Sequence, residues 1–282
     1  MSDVRPAVRA ELAYLDPRSA VRRQFIAPGA STSTAGSERR AVTIRDGRPA
    51  QHSFALDVQG FEIARHPTAV RDLAELTDDD ALAGYEAEVC RFVQDRLGAD
   101  RVLSRGWERR RSVDPGAHGA QPPARGVHVD YAPDHVPGMV ARASARHLPD
   151  GGGFRRAVVT SCWRVLSPPP QDWPLALCDS RTVAEGDGAP VTTYFVDMLP
   201  ADPFGPVEHL KPVGSGWRLH ANPAHEWWYF PGMTSDEVLL IKLGDTARSA
   251  AGPAPHTAFP DPTVHGAVPR LSIEVRTFAY FR

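Results

Sequence analysis

The chain has 282 residues, 42% hydrophobic and 23% charged, with a formal net charge of −2 and a pI near 6.6, a balance that excludes both a polybasic nucleic-acid binder and a chain too polar to bury a core. Its three cysteines, Cys90, Cys162 and Cys178, contain no CxxC pair, which argues against a disulfide framework and a thiolate zinc site. No apolar run approaches a membrane span and MSDVRPAVRAELAYLDPRS carries no apolar signal core, so the expected location is a reducing cytoplasm, with neither membrane nor nucleic acid as partner.

In chain order, residues 1–60 hold short alternating stretches, ELAYL, AVTIRDG and SFALDVQGFEIA, broken by turn residues and read as strands and hairpins. TDDDALAGYEAEVCRFVQDRLG predicts a helix: Leu82, Tyr85, Val89, Phe92, Val93 and Leu97 recur at helical spacing, acids open it and Gly98 closes it. A Pro/Gly-rich stretch from about Ser112 to Arg125 reads as a loop or flap. HVPGMVARASARHL predicts a second helix. RRAVVTSCWRVL, PLALCD, VTTYFVDML, EWWYF, EVLLIKL and LSIEVRTFAYF read as strands, separated by PDGGGF, SPPPQDWP and NPAH. The expectation is a mainly β fold with accompanying helices and a jelly-roll core, without the βαβ alternation of a doubly wound sheet. One domain spans 1–282, with 1–115 packing as strands and helices on a core built from 116–282.

The sequence VHVDYA raises the question of a metal. Residues two apart on a strand share a face, so His128 and Asp130 project together, an imidazole nitrogen beside a hard carboxylate oxygen. With 11 histidines and 22 aspartates in the chain, chance alone supplies about one His-x-Asp. The pair gains meaning only from a third ligand, for which His220, His225 and His256 are candidates. His256 alone is followed 14 residues later by Arg270 and then Ser272. On the strand LSIEVRTFAYF, Arg270, Ser272, Glu274 and Arg276 share one face, and Leu271, Ile273 and Val275 the other. Arg110 with Ser112 and Arg142 with Ser144 repeat the Arg-x-Ser spacing, but only Arg270 and Ser272 follow both the His-x-Asp and a spare histidine.

The order His-x-Asp, His, Arg-x-Ser resembles that of the iron(II)/2-oxoglutarate-dependent dioxygenases. AYLDP, HVDYAPD, QDWPLALCDSRTV, HEWWYFPGMTSDEVLLIKLGD, HTAFPDP and PRLSIEVR are similar to a branch of them, most strongly from about residue 121 onward. That branch includes fungal gibberellin desaturase, hydroxylase/desaturases of fungal secondary metabolism, and the cephalosporin 7-alpha-hydroxylase component of cephamycin biosynthesis. One departure is Leu271, where the branch carries glutamate between the arginine and the serine.

The resemblance implies a cupin-like double-stranded β-helix and an Fe(II) ion held by His128, Asp130 and His256. It further implies that 2-oxoglutarate is gripped at its far carboxylate by Arg270 and Ser272, and that O2 is the third reactant. A guanidinium fork and a short hydroxyl suit a carboxylate. The implied reaction oxidises an unactivated C–H bond of a small specialised metabolite, amino-acid-derived or a β-lactam, by hydroxylation, desaturation or ring closure, with release of succinate and CO2. Trp163, Arg164, Trp227, Tyr229 and Arg276 are the substrate-side candidates. Large aromatics on strands more often pack a core, and Arg276 is matched equally by a buried ion pair with Glu274 or Asp245. Two other readings stand beside this one: a non-oxidative metal enzyme on a cupin-type barrel, and a β-sandwich that binds a small molecule.

Overall fold

The alternation near the start of the chain becomes a hairpin. In this computed structural model, which describes residues 7–28, 30–76, 79–114, 120–148, 153–247 and 250–282, β1 (Ala7–Leu15) buries Val8, Leu12 and Tyr14 and pairs antiparallel with β4 (Ser37–Asp46). Between them β2 (Arg23–Ala27) and β3 (Ala30–Ser33) form a smaller hairpin. These four strands take the two ends of a ten-stranded sheet. Its middle is built from β7 (His128–Val129), β9 (Leu175–Cys178), β10 (Gly188–Phe195), β11 (Gly214–Leu219), β12 (Trp227–Tyr229) and β14 (His256–Ala258), in the order β1-β4-β12-β9-β14-β7-β11-β10-β2-β3.

A second sheet has five strands in the order β5-β13-β8-β15-β6: β5 (Phe61–Arg65), β6 (Arg101–Arg111), β8 (Arg156–Val165), β13 (Glu237–Asp245) and β15 (Leu271–Phe281). β15 runs between β8 and β6, antiparallel to both. Its Phe278 and Tyr280 belong to the main core with the large sheet, while Ile273, Val275 and Ala279 pack the other way. There they meet α1 (Asp79–Leu97), whose Leu82, Tyr85, Val89 and Val93 are buried at helical spacing. Gly98, at φ +64, ends that helix in the left-handed conformation a glycine adopts most easily. α2 (Val136–His147) buries Val136, Val140 and Ser144. The architecture is the expected mainly β one with a jelly-roll core. No helix among the described residues is long and apolar enough to cross a membrane.

Four departures have physical causes. SFALDVQG is a turn, not a strand, because its polar groups close local bonds: Gln59 accepts from Ala55 N and Glu62 from Leu56 N, with Gly60 at φ +86. The strand begins only at Phe61. β6 escaped the alternation test because arginines occupy its inward positions; Arg109 is buried and donates to the carbonyls of Leu73 and Leu76. The β2–β3 hairpin and β11 carry weak apolar patterns. β7 and β14, of two and three residues, are too short to show a period at all. Of the stretch from Ser112 to Arg125 and the PDGGGF turn, residues 115–119 and 149–152 lie outside the described residues.

Candidate metal centre

β7 and β14 are antiparallel neighbours in the middle of the large sheet, and their register sets His128 directly opposite His256. Opposed residues share a face, and the two ring centroids lie 4.5 Å apart. Each ring is held from behind by a backbone carbonyl two residues earlier: His128 Nδ1 donates to Gly126 O at 2.7 Å and His256 Nδ1 to Ala254 O at 3.1 Å. With the proton on Nδ1, both Nε2 atoms keep a free lone pair.

Those lone pairs converge on one carboxylate oxygen. Asp130 follows β7 at a bend, and its Oδ1 lies 3.3 Å from His128 Nε2 and 3.8 Å from His256 Nε2. The ligand atoms of the three residues all fall within 4.8 Å of one another, a spacing that can surround one cation. Burial, then the neighbouring His128, presses the His256 imidazole down to about 4, so it stays neutral and ligating. Burial pushes the Asp130 carboxyl up, but the Arg276 guanidinium beside it outweighs that and holds the group well below the usual carboxylate range. Two neutral imidazoles and one carboxylate are the donor set of a 2-His-1-carboxylate ferrous site.

Across the cavity, β15 presents the complementary charge. Arg270 precedes the strand, fixed by its backbone N–H to Asp172 Oδ1 at 2.8 Å and by Nη1 to Trp173 O at 2.8 Å, with its guanidinium carbon 5.6 Å from the Trp163 ring centroid. Among the described residues no carboxylate pairs with its guanidinium, and burial, then Arg110, presses it below the ordinary arginine range, to about 9. Arg270 Nε and Ser272 Oγ are buried and have no hydrogen-bond partner among the described residues. Two adjacent orphaned donors in an apolar interior are costly unless an acceptor arrives, so they fit the terminal carboxylate of a diacid. The cavity is bordered by His128, Asp130, His256, Trp163, Arg270 and Glu274, with Leu175 and Ile241 as apolar walls.

The other sequence candidates lie elsewhere. His225 bonds Asp187 through Nε2 at 3.1 Å and stacks on Tyr14, and His220 Nδ1 donates to Leu15 O at 3.1 Å; neither joins the cluster. Arg164 alternates with Trp163 and points out of the cavity, into the layer beneath α1. Its guanidinium is consumed there by Tyr85 Oη, His66 O, His66 Nδ1 and Ser235 O. Trp227 pairs across the sheet with Cys178, whereas Trp228 pairs with Leu177, the partner of His256. Trp227 therefore faces away from the centre and donates to Tyr14 Oη at 2.9 Å, and Tyr229 packs edge-on against Phe259; neither borders the cavity. Of the pairings weighed for Arg276, Glu274 is present, but Asp245 is taken by Arg156 and Lys242.

Sequence reasoning missed Arg110 and Glu108, which reach the site from β6, and the contact of Arg276 with Asp130 itself. Nothing local in the sequence signals that contact, because it joins residues 146 apart in the chain.

Residues 12–280 match a family model described as an oxidoreductase/YMDC permease-like domain. The hydroxylase/desaturase efuI of Hormonema carpetanum is 30% identical over 270 residues, covering 88% of this chain and 88% of its own. The Fe(II)/2-oxoglutarate-dependent dioxygenase nvfI of Aspergillus novofumigatus is 28% identical, covering 90% of this chain and 87% of its own. Among solved structures, the iron and alpha-ketoglutarate-dependent endoperoxidase NvfI superposes with a TM-score of 0.82 over 98% of both chains at 26% identity.

Proposed function

The chain belongs to the iron(II)/2-oxoglutarate-dependent dioxygenases, in their hydroxylase/desaturase branch, and from that premise we propose which residues carry the reaction. The enzyme uses Fe(II), 2-oxoglutarate and O2 to oxidise a small metabolite. His128, Asp130 and His256 hold the metal, and Arg270 with Ser272 holds the far carboxylate of 2-oxoglutarate. The observation that carries this assignment is the pairing of one three-donor cluster with two orphaned buried donors on the facing sheet.

When bound, iron and 2-oxoglutarate supply the oxidising power: O2 is consumed, the keto acid becomes succinate and CO2, and a substrate C–H bond is oxidised. The chain's own groups do the rest. The carbonyls of Gly126 and Ala254 fix both imidazoles with Nε2 inward. Arg270, aimed by Trp173 O and seated over Trp163, orients the diacid and satisfies its own uncompensated charge in doing so. Leu175 and Ile241 keep the cavity wall dry, which strengthens each of these contacts.

The substrate class proposed is a specialised metabolite, amino-acid-derived or a β-lactam. Hydroxylation, desaturation or ring closure is selected by how its C–H bond is presented. The similarity of the relatives named as hydroxylase/desaturases supports this range of outcomes. The unpaired state of Cys90, Cys162 and Cys178 supports work in the cytoplasm. The test is a succinate-release screen over such metabolites, run beside an anaerobic titration of Fe(II)-loaded protein with 2-oxoglutarate. A weak visible charge-transfer band from the chelated keto acid is expected; its absence would reject the assignment.

A further inference from the structure

Arg276 stands between the metal-facing carboxylate and two other acids. Its Nε donates to Asp130 Oδ2 at 2.6 Å, and its Nη2 donates to Glu274 Oε1 at 2.7 Å and Glu108 Oε2 at 3.1 Å. The three acids come from three places: the bend after β7, the middle of β15, and β6. Glu274 is fixed in turn by Ser161 Oγ at 3.1 Å, and Arg110 bridges Glu108 at 3.0 Å and Glu274 at 3.5 Å. The backbone beneath Arg276 is the interior strand of a five-stranded sheet. A guanidinium tied at both ends to anchored partners cannot slide. Three carboxylates already surround it, so a substrate carboxylate would enter against like charge, which removes Arg276 from the substrate-side candidates.

The consequence falls on Asp130, whose two oxygens have different environments. Oδ2 is occupied by a short charge-assisted hydrogen bond, and only Oδ1 faces His128 and His256. A carboxylate with both oxygens free can turn and chelate a cation with the pair. A carboxylate held at one oxygen offers the other. Three single-atom donors on one face of a six-coordinate ion leave three adjacent positions, two for the keto acid and one for O2. Chelation by both oxygens of Asp130 would consume one of these.

We propose that Arg276 is a positioning residue that limits Asp130 to ligation through Oδ1 and so preserves a coordination position for cosubstrate or oxygen. The inference rests on the assignment of His128, Asp130 and His256 as the metal ligands. A purely structural role for Arg276 would lower melting temperature or metal affinity without altering how many water molecules the bound ion carries.

The test uses manganese(II), anaerobically, on the native chain, Arg276→Gln and Arg276→Lys. Water-proton relaxation reads the exchangeable waters on the bound ion, and a titration with 2-oxoglutarate follows on the same samples. For Arg276→Gln the relaxivity per bound ion is expected to fall by about one third, one position in three being lost. Its cosubstrate affinity is expected to fall about tenfold, as for other outer-shell partners of a ligand. Arg276→Lys restores the charge and one donor to Oδ2, and is expected to recover most of both quantities. Should Arg276→Gln fail to fold, the native chain carries the test: about three exchangeable waters per bound ion support ligation through one oxygen of Asp130, and about two oppose it. Folded, loaded Arg276→Gln with native relaxivity and native cosubstrate affinity overturns this inference alone. A native chain that binds no manganese overturns the ligand assignment beneath it.

Discussion

His128 and His256 lie directly opposite one another on adjacent antiparallel strands, with ring centroids 4.5 Å apart and each Nδ1 tied to the carbonyl two residues before it. A metal site built on a cross-strand pair inherits the stiffness of the ladder. Substituting either histidine should therefore remove ligation without unfolding the sheet. His256→Ala is expected to weaken Fe(II) binding by at least about 100-fold, the upper end of what outer-shell partners cost, and to abolish succinate formation. Calorimetric titration of metal beside circular dichroism checks it; native affinity would reject His256 as a ligand.

The orphaned donors predict a split between stability and function. Arg270→Lys keeps the charge and loses the fork, so 2-oxoglutarate should bind about 10- to 100-fold more weakly, the worth of one or more charged hydrogen bonds, with Fe(II) affinity nearly unchanged. Ser272→Ala removes a buried hydroxyl that has no hydrogen-bond partner among the described residues. Its melting temperature should be equal to or above native while its KM for 2-oxoglutarate rises. A marked loss of stability in Ser272→Ala would show that the hydroxyl has another job.

Away from the site, burial lowers the His225 imidazole below its ordinary value, more than Asp187 raises it. The folded chain thus refuses a proton that the unfolded chain accepts. As pH falls from about 6.5, the unfolded value, toward the depressed native one, this group makes stability decline; above that window it contributes nothing. His225→Gln should flatten that part of the melting-temperature curve against pH. An unchanged slope between native and variant would show that His225 is not the group responsible.

Lys242 is fully buried, donating to Asp57 Oδ1 at 2.5 Å and Asp245 Oδ2 at 3.0 Å. It staples the turn that replaced the expected strand at SFALDVQG to β13. Lys242→Met leaves Asp57 and Asp245 to share Arg156 as their one cation among the described residues. A loss of about 3 kcal/mol is expected from breaking a buried pair, measured by urea unfolding, with metal affinity retained.

Much of the candidate site was legible before the fold because its residue types are chemically demanding. His128, Asp130, His256, Arg270 and Ser272 stood out by kind and order, and the alternation of β15 placed Ser272 and Glu274 on one face. What could not be read was depth. Trp163 and Arg164 are neighbours with equal claims in the sequence, yet strand alternation sends one into the cavity and the other beneath α1. Whether Trp227 and Tyr229 face the centre depended on a cross-strand register with β9, which no single strand encodes. The arginine-rich β6 was invisible because its buried cations are satisfied by distant carbonyls and acids, so local hydropathy misjudged which way it faced.

The histidines proposed as ligands lie on one sheet and Arg270 leads into the first strand residues of the other, with the strands of each layer locked by their own ladders. The spacing between layers thus acts as a fixed gauge for the molecule that bridges them. For a diacid held between the proposed ligands and Arg270, reach would then matter alongside charge.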